Sequence, residues 1–157
     1  MENNHPYFMR EAIRLSIEKM QAGEGGPFGC VIVKNGKIIG RGWNKVTSTN
    51  DPTAHAEVSA IRDACKNLES FQLDGCTVYT SCEPCPMCLG ALYWARPERI
   101  YYANLKSDAA AIGFDDDFIY SEMALPLHER KLASSPLLRD EALEAFRIWA
   151  NSEATRY

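Results

Sequence analysis

Thr53-Ala54-His55-Ala56-Glu57 and Glu83-Pro84-Cys85-Pro86-Met87-Cys88 are the two stretches on which the reading turns. His55, Cys85 and Cys88 are an imidazole and two thiols, the donors that zinc takes in a tetrahedral arrangement. A site with three such ligands leaves one position for water. Cys-x-x-Cys lets two sulfurs grip one ion from a single turn. Pro84 suits a helix start, where proline loses no needed donor. A helix N-terminus also favours the thiolate that binds metal. Glu57 stands two residues beyond His55. From the first turn of a helix it points away from the ligand direction, toward the water, where a proton acceptor and donor belongs.

Taken singly, these motifs have plainer readings. A lone Cys-x-x-Cys serves a redox pair or half of a structural zinc site. A lone buried histidine is more often a core residue than a ligand. Cys82 is placed to complete a site with four protein ligands, which would be a zinc-stabilised binding module without turnover. The ordered set of histidine, glutamate and paired cysteines favours the catalytic arrangement.

Working outward, the spacing predicts a helix over 7–22, with Phe8, Ala12 and Leu15 on one stripe and Ile13, Ile17 and Met20 on another, all facing a sheet. Residues 28–43 read as a hairpin, because Val31-Ile32-Val33 is β-branched and Asn35-Gly36 suits a two-residue type I′ turn. Residues 44–52 form a polar loop, and Asp51-Pro52-Thr53 breaks it ahead of a helix over 54–68 with Val58, Ile61, Ala64 and Cys65 buried. Cys76 to Thr80 is a central strand that delivers the chain to the zinc helix, 84–95. Residues 99–103 form the next strand. A short helix follows over 106–112, then the acidic turn Gly113-Phe114-Asp115-Asp116-Asp117-Phe118. Residues 121–135 give no clear pattern. Residues 139–150 form a helix with Leu143, Phe146 and Trp149 nearly on one face, and 152–157 form a tail. Strands alternating with helices predict an α/β sheet, parallel in part and made mixed by the hairpin.

Composition sets the outer limits. A chain of 157 residues with 46% hydrophobic and 24% charged residues supports one domain with its own core. The net charge of −4 disfavours a nucleic-acid surface, which needs a basic face. No stretch approaches the roughly 20 apolar residues of a membrane span, and no secretory signal is read at the N-terminus. Six cysteines without such a signal point to a reducing, cytoplasmic setting. Cys30, Cys65 and Cys76 lie in apolar runs and read as core.

Around the metal motif, Asn44 directly follows the second strand and has both an acceptor and donors for a planar base. Phe28 is by default a core aromatic that the metal site makes a candidate pocket wall. Trp94 reads first as packing. The three aspartates 115–117 are either a solvated cap or, held near an apolar wall, a partner for adjacent N–H donors on a heterocycle.

The H-x-E…P-C-x-x-C order, the succession of elements and the length resemble the cytidine deaminase-like superfamily, and within it the small bacterial guanine deaminases. The stretches that carry the resemblance are Gly25-Gly26-Pro27-Phe28-Gly29, Asn50 to Glu57, Tyr79 to Ala95 and Gly113-Phe114-Asp115-Asp116. The resemblance implies a three-layer α/β/α sandwich with a five-stranded mixed sheet and hydrolytic conversion of guanine to xanthine and ammonia, a step of purine metabolism. It implies one zinc per subunit on His55, Cys85 and Cys88, with Glu57 shuttling protons. Asn44 would bond the purine, Phe28 and Trp94 would flank it, and Asp116 would contact its 2-amino edge and assist proton transfer. It implies a homodimer in which a C-terminal segment, about 136–157, crosses between subunits and the terminal Tyr157 helps close the site. A tRNA adenosine deaminase, or another nucleobase or nucleoside deaminase, would run on the same zinc residues, so selectivity must lie in the pocket.

Overall fold

The computed structural model describes residues 4–157. Helix α1 (His5–Gln21) leads into a hairpin of β1 (Gly29–Lys34) and β2 (Lys37–Trp43), and a short α2 (Val46–Thr49) precedes α3 (Ala56–Leu68). Strand β3 (Cys76–Cys82) runs into α4 (Pro86–Ala95), and β4 (Arg99–Asn104) into α5 (Lys106–Ala111). Helix α6 (Asp117–Ala124), a 3-10 turn (Leu127–Glu129) and α7 (Arg139–Ala150) complete the chain. These elements form two compact units, residues up to 117 and residues 118–157. No helix is long and apolar enough to cross a membrane among the described residues.

The sheet of the first unit has the order β2-β1-β3-β4. β1 pairs antiparallel with β2 and β3, while β3 and β4 are parallel. A parallel pair needs a crossover, which α4 supplies. Asn35 and Gly36 both take positive φ, 51° and 73°, as a type I′ turn requires. β1 is buried on both faces. Val31 and Val33 meet Phe8, Ala12 and Leu15 of α1 together with Tyr79. Cys30 and Ile32 point the other way, toward Ala56, Ala60, Ala64, Val78 and Leu92. Helices therefore cover both sides of a mixed sheet.

The first turn of α3 lies directly on β2. A Cβ on Gly42 would fall 2.1 Å from the Ala56 carbonyl oxygen and 2.3 Å from the Ala60 nitrogen, so only glycine admits this approach. The close contact also explains which stripe of α3 is buried. Ala56, Ala60 and Ala64 face the sheet, whereas Val58, Ile61 and Cys65 of the expected stripe are only half-buried. Small residues on the helix match the glycines on the strand.

The structure departs from sequence expectation at three further points. The sheet has four strands among the described residues, not five. The run 120–138 contains no Val, Ile or Thr and holds Pro126 and Pro136, and residues of this kind do not form a strand. On α1 only the Phe8–Ala12–Leu15 stripe is buried, with Ser16; Ile17 is 47% exposed. A single sheet face accommodates one stripe of a helix. Finally, the zinc helix begins at Pro86, with Cys85 as its N-cap, so Pro86 and not Pro84 occupies the first turn.

Candidate active site

Two helix starts meet at the end of β3. His55 is the N-cap of α3 and Cys85 that of α4, both with extended backbone (ψ 162° and 169°). This conformation turns each side chain back over the first turn of its helix. Cys88 lies one turn into α4, and its backbone N–H donates to Cys85 Sγ at 3.5 Å. His55 Nδ1 stands 3.5 Å from Cys85 Sγ and 3.6 Å from Cys88 Sγ. All three donor atoms lie within 4.8 Å of one another. A tetrahedral ion at about 2.3 Å from sulfur and about 2.0 Å from nitrogen sets a sulfur and a nitrogen about 3.5 Å apart, so the donor set fits zinc.

The electrostatics agree. The hydrogen bond from Cys88, reinforced by His55, draws the Cys85 thiol down to about 4 against the cost of burial. Cys88 moves up for the reciprocal reason, the proton it shares with Cys85. The Cys85 sulfur raises the imidazole pKa of His55. The pairing favours the thiolate form of Cys85, the form that binds metal.

Cys82 is not part of the cluster. Its Sγ donates to the Leu105 carbonyl at 3.7 Å, and burial lifts its thiol to about 11. The four-ligand arrangement of His55, Cys82, Cys85 and Cys88 considered from sequence is therefore not formed.

Glu57 is buried, and burial raises its carboxyl pKa while Thr80 and Cys88 act against the rise. Thr80 Oγ1 donates to Glu57 Oε1 at 2.8 Å. Thr80 was missed in the sequence reading. Its signal was a polar residue in register with Val78 on the core-facing side of the central strand.

Asn44 is buried at the end of β2. Its Oδ1 accepts from the backbone N–H groups of Gly26 and Val46, each at 3.2 Å. The carboxamide oxygen is thereby committed, and the amide nitrogen is what the residue has to offer a ligand. Phe28 packs edge-to-face on Phe114, with centroids 4.9 Å apart at 88°. Asp115 and Asp116 differ in environment. Asp115 Oδ1 accepts from Asp117 N–H at 3.0 Å and so closes the turn into α6. Asp116 is half-buried; burial and the Cys85 charge raise its carboxyl pKa, opposed by Lys106. Trp94 sits at the opposite end of α4 from Cys85 and Cys88 and is 67% exposed. Tyr157 belongs to the second unit and is exposed.

The model of the cytidine and deoxycytidylate deaminase zinc-binding region matches residues 2–104. The chain is 56% identical to a guanine deaminase of Bacillus subtilis over 94% of its own length and 95% of that protein. It is 42% identical to a tRNA-specific adenosine deaminase of Aquifex aeolicus, over 63% of this chain and 65% of the other. An X-ray structure of the Bacillus subtilis guanine deaminase superposes with a TM-score of 0.94 at 54% identity, covering 98% of each chain. A guanine deaminase from Nitrosomonas europaea superposes with a TM-score of 0.66 at 30% identity, over 88% of this chain and 70% of that one.

Proposed function

The chain belongs to the cytidine and deoxycytidylate deaminase zinc-binding family, and on that premise we propose that it hydrolyses guanine to xanthine and ammonia. The observation that carries the chemistry is the buried Glu57 set beside three donors at zinc spacing. The choice of guanine follows the relative whose likeness runs nearly the whole length of the chain.

His55, Cys85 and Cys88 would hold the zinc, which would supply Lewis acidity to the attacking water. Glu57 does the proton work. Thr80 occupies its Oε1, so Oε2 takes the proton from the attacking water and delivers it to the ring nitrogen next to C2. The same oxygen then serves the departing amine. Water adds at C2, the proton of the new hydroxyl passes to the exocyclic amine, the bond from C2 to that amine breaks, and ammonia leaves. Asn44 donates from its amide nitrogen to an acceptor on the base. Phe28 walls the site with Phe114 behind it. Asp116 meets the 2-amino edge, and its raised pKa suits a carboxyl that exchanges a proton with that edge.

We further assign the protein to the cytoplasm, where cysteines stay out of disulfides, as all six do here, and to a homodimer in which the segment about 136–157 crosses to the partner and Tyr157 closes the partner's site. No residue of 118–157 is buried, and Leu137 and Phe146 are 85% and 74% exposed. Apolar surface of this kind requires a cover. In such a dimer Trp94, far from its own zinc ligands, acts across the interface.

Ammonia release by the zinc-loaded protein from guanine, adenine, cytosine, cytidine, guanosine and an anticodon stem-loop tests the reading. Xanthine from guanine alone supports it. Inosine in the stem-loop transfers the chain to tRNA adenosine deamination, and release from a pyrimidine discards the assigned pocket.

A further inference from the structure

The turn between α1 and β1 packs against Asn44 and is held by a residue that the reaction itself does not use. Glu24 joins three elements at once. Its Oε1 is paired with Lys19 Nζ of α1 at 3.0 Å. Its Oε2 accepts from Trp43 Nε1 at the end of β2. Its carbonyl oxygen accepts from Ser48 Oγ of α2 at 2.7 Å. Trp43 is further fixed by Lys19 and Lys45, whose ammonium groups lie 4.2 and 4.1 Å from its ring.

The two residues after Glu24 reach Asn44 directly. Gly26 N–H donates to Asn44 Oδ1. A Cβ on Gly25 would fall 2.1 Å from the Asn44 carbonyl oxygen and 2.6 Å from its Oδ1, so the turn is pressed against Asn44 with no room to slide. Asn44 N–H in turn donates to the Phe28 carbonyl at 3.1 Å. The strand residue before Asn44 and the turn residue before Gly25 are thus the two that hydrogen-bond each other, Trp43 with Glu24. Any drift of the turn relative to β2 would take the Gly26 donor from the Asn44 oxygen and leave Val46 N–H alone to hold it.

From this we propose that Glu24 is a positioning residue for the Asn44 carboxamide, locking its oxygen inward so that the site presents the substrate an N–H donor and no acceptor at that point. The proposal rests on the reading that Asn44 meets the base. It makes the Glu24–Trp43 clasp a determinant of substrate affinity at one remove.

The test is a double-mutant cycle on the full-length, zinc-loaded protein, with kcat and KM for guanine measured for Glu24→Ala, Asn44→Ala and the double variant. Glu24→Ala is expected to raise KM about ten-fold with kcat within about three-fold, and to add less than about two-fold in the Asn44→Ala background, because coupled residues are not additive. Glu24→Gln, which keeps an acceptor for the indole, restores KM to within about two-fold of the parent. Unchanged KM in Glu24→Ala, or effects that multiply in the double variant, overturn the proposal. If Glu24→Ala does not fold, Trp43→Phe removes the indole donor and keeps the aromatic ring; it must move KM in the same direction. A second readout needs no turnover. The Asn44 side-chain amide resonance shifts in Glu24→Ala and holds its place in Glu24→Gln, and an unmoved resonance in Glu24→Ala overturns the proposal. Failure of the parent protein to turn over guanine overturns the substrate reading alone, because the resonance still reports the clasp.

Discussion

Thr80 Oγ1 donates a hydrogen bond to Glu57 Oε1 at 2.8 Å, and both side chains are buried. The bond fixes one oxygen of the carboxylate, and in the proposed reaction the other moves the protons. Thr80→Val keeps the shape and removes the donor, leaving a buried carboxylate oxygen unsatisfied at a cost of about 1–3 kcal/mol. Thermal unfolding is expected to fall, and kcat for guanine to drop about ten-fold, with the zinc content unaltered. Thr80→Ser restores the hydroxyl and most of both losses. A Thr80→Val protein with parental kcat would show that Glu57 is held by other means.

Cys82 and Cys88 are both buried thiols near the motif, yet only one faces His55. Metal analysis of purified variants separates them. Cys88→Ser is expected to lose zinc, since hydroxyl is a poor substitute for thiolate. Cys82→Ser is expected to retain one zinc per chain. Zinc loss from Cys82→Ser would restore the four-ligand structural reading.

Asp115 and Asp116 are neighbours in different surroundings. Asp115 closes the turn into α6 through the Asp117 N–H, a duty asparagine also performs. Asp115→Asn is therefore expected to keep guanine turnover within about two-fold, and Asp115→Ala to cost about 1 kcal/mol of stability. Asp116→Asn is expected to keep zinc and lose at least about 100-fold in kcat, the scale of a lost proton-transfer group. Undiminished turnover in Asp116→Asn would remove the residue from the reaction.

The contrast between these two aspartates shows what a sequence does and does not disclose. His55, Cys85 and Cys88 were legible because metal ligation demands particular atoms at particular spacings, and the structure brings their donors together. The hairpin was legible because Asn35-Gly36 suits one turn type. Thr80 and Glu24 were not, since their roles depend on partners 23 and 19 residues away in the chain, and hydroxyl or carboxylate side chains on strands and turns have many uses. The buried stripe of α3 was placed on its larger residues, because apolar periodicity weighs size; Gly40 and Gly42 on the facing strand select alanine instead. The fifth strand was an inference from resemblance, and the composition of 120–138 opposes it.

The carboxyl of Glu24 is held below its ordinary value of 4.5 by the Lys19 hydrogen bond and then by the Trp43 indole. A carboxylate with a depressed pKa in the folded state adds stability that is complete above its unfolded value and lost as pH falls through its folded one. Glu24→Gln is therefore expected to melt below the parent by a constant margin from pH 7 down to about 5, with the margin closing below 4.5. Comparing melting temperatures of the two proteins at each pH cancels losses common to both, including protonation of the zinc ligands. A margin that widens on acidification would mean that Glu24 is not held as a carboxylate.

Residues 118–157 carry Phe118, Leu127, Leu132, Leu137, Phe146 and Ile148 exposed and no buried residue. On helix α7 the first turn is acidic and the last basic, as the helix dipole favours, so the helix is locally well specified while its apolar side lacks burial. A segment of this kind gains its stability from packing against another surface. In the proposed homodimer that surface is the partner subunit. Sedimentation is expected to give twice the mass of one chain, and Phe146→Glu to shift the protein toward monomer. Removing residues 152–157 tests the tail separately: the dimer should survive, and KM for guanine should rise about ten-fold as Tyr157 no longer closes the partner's site. A tail-deleted dimer with parental KM would confine the segment to assembly, whereas a monomeric parent protein with full turnover would dismiss the exchange altogether.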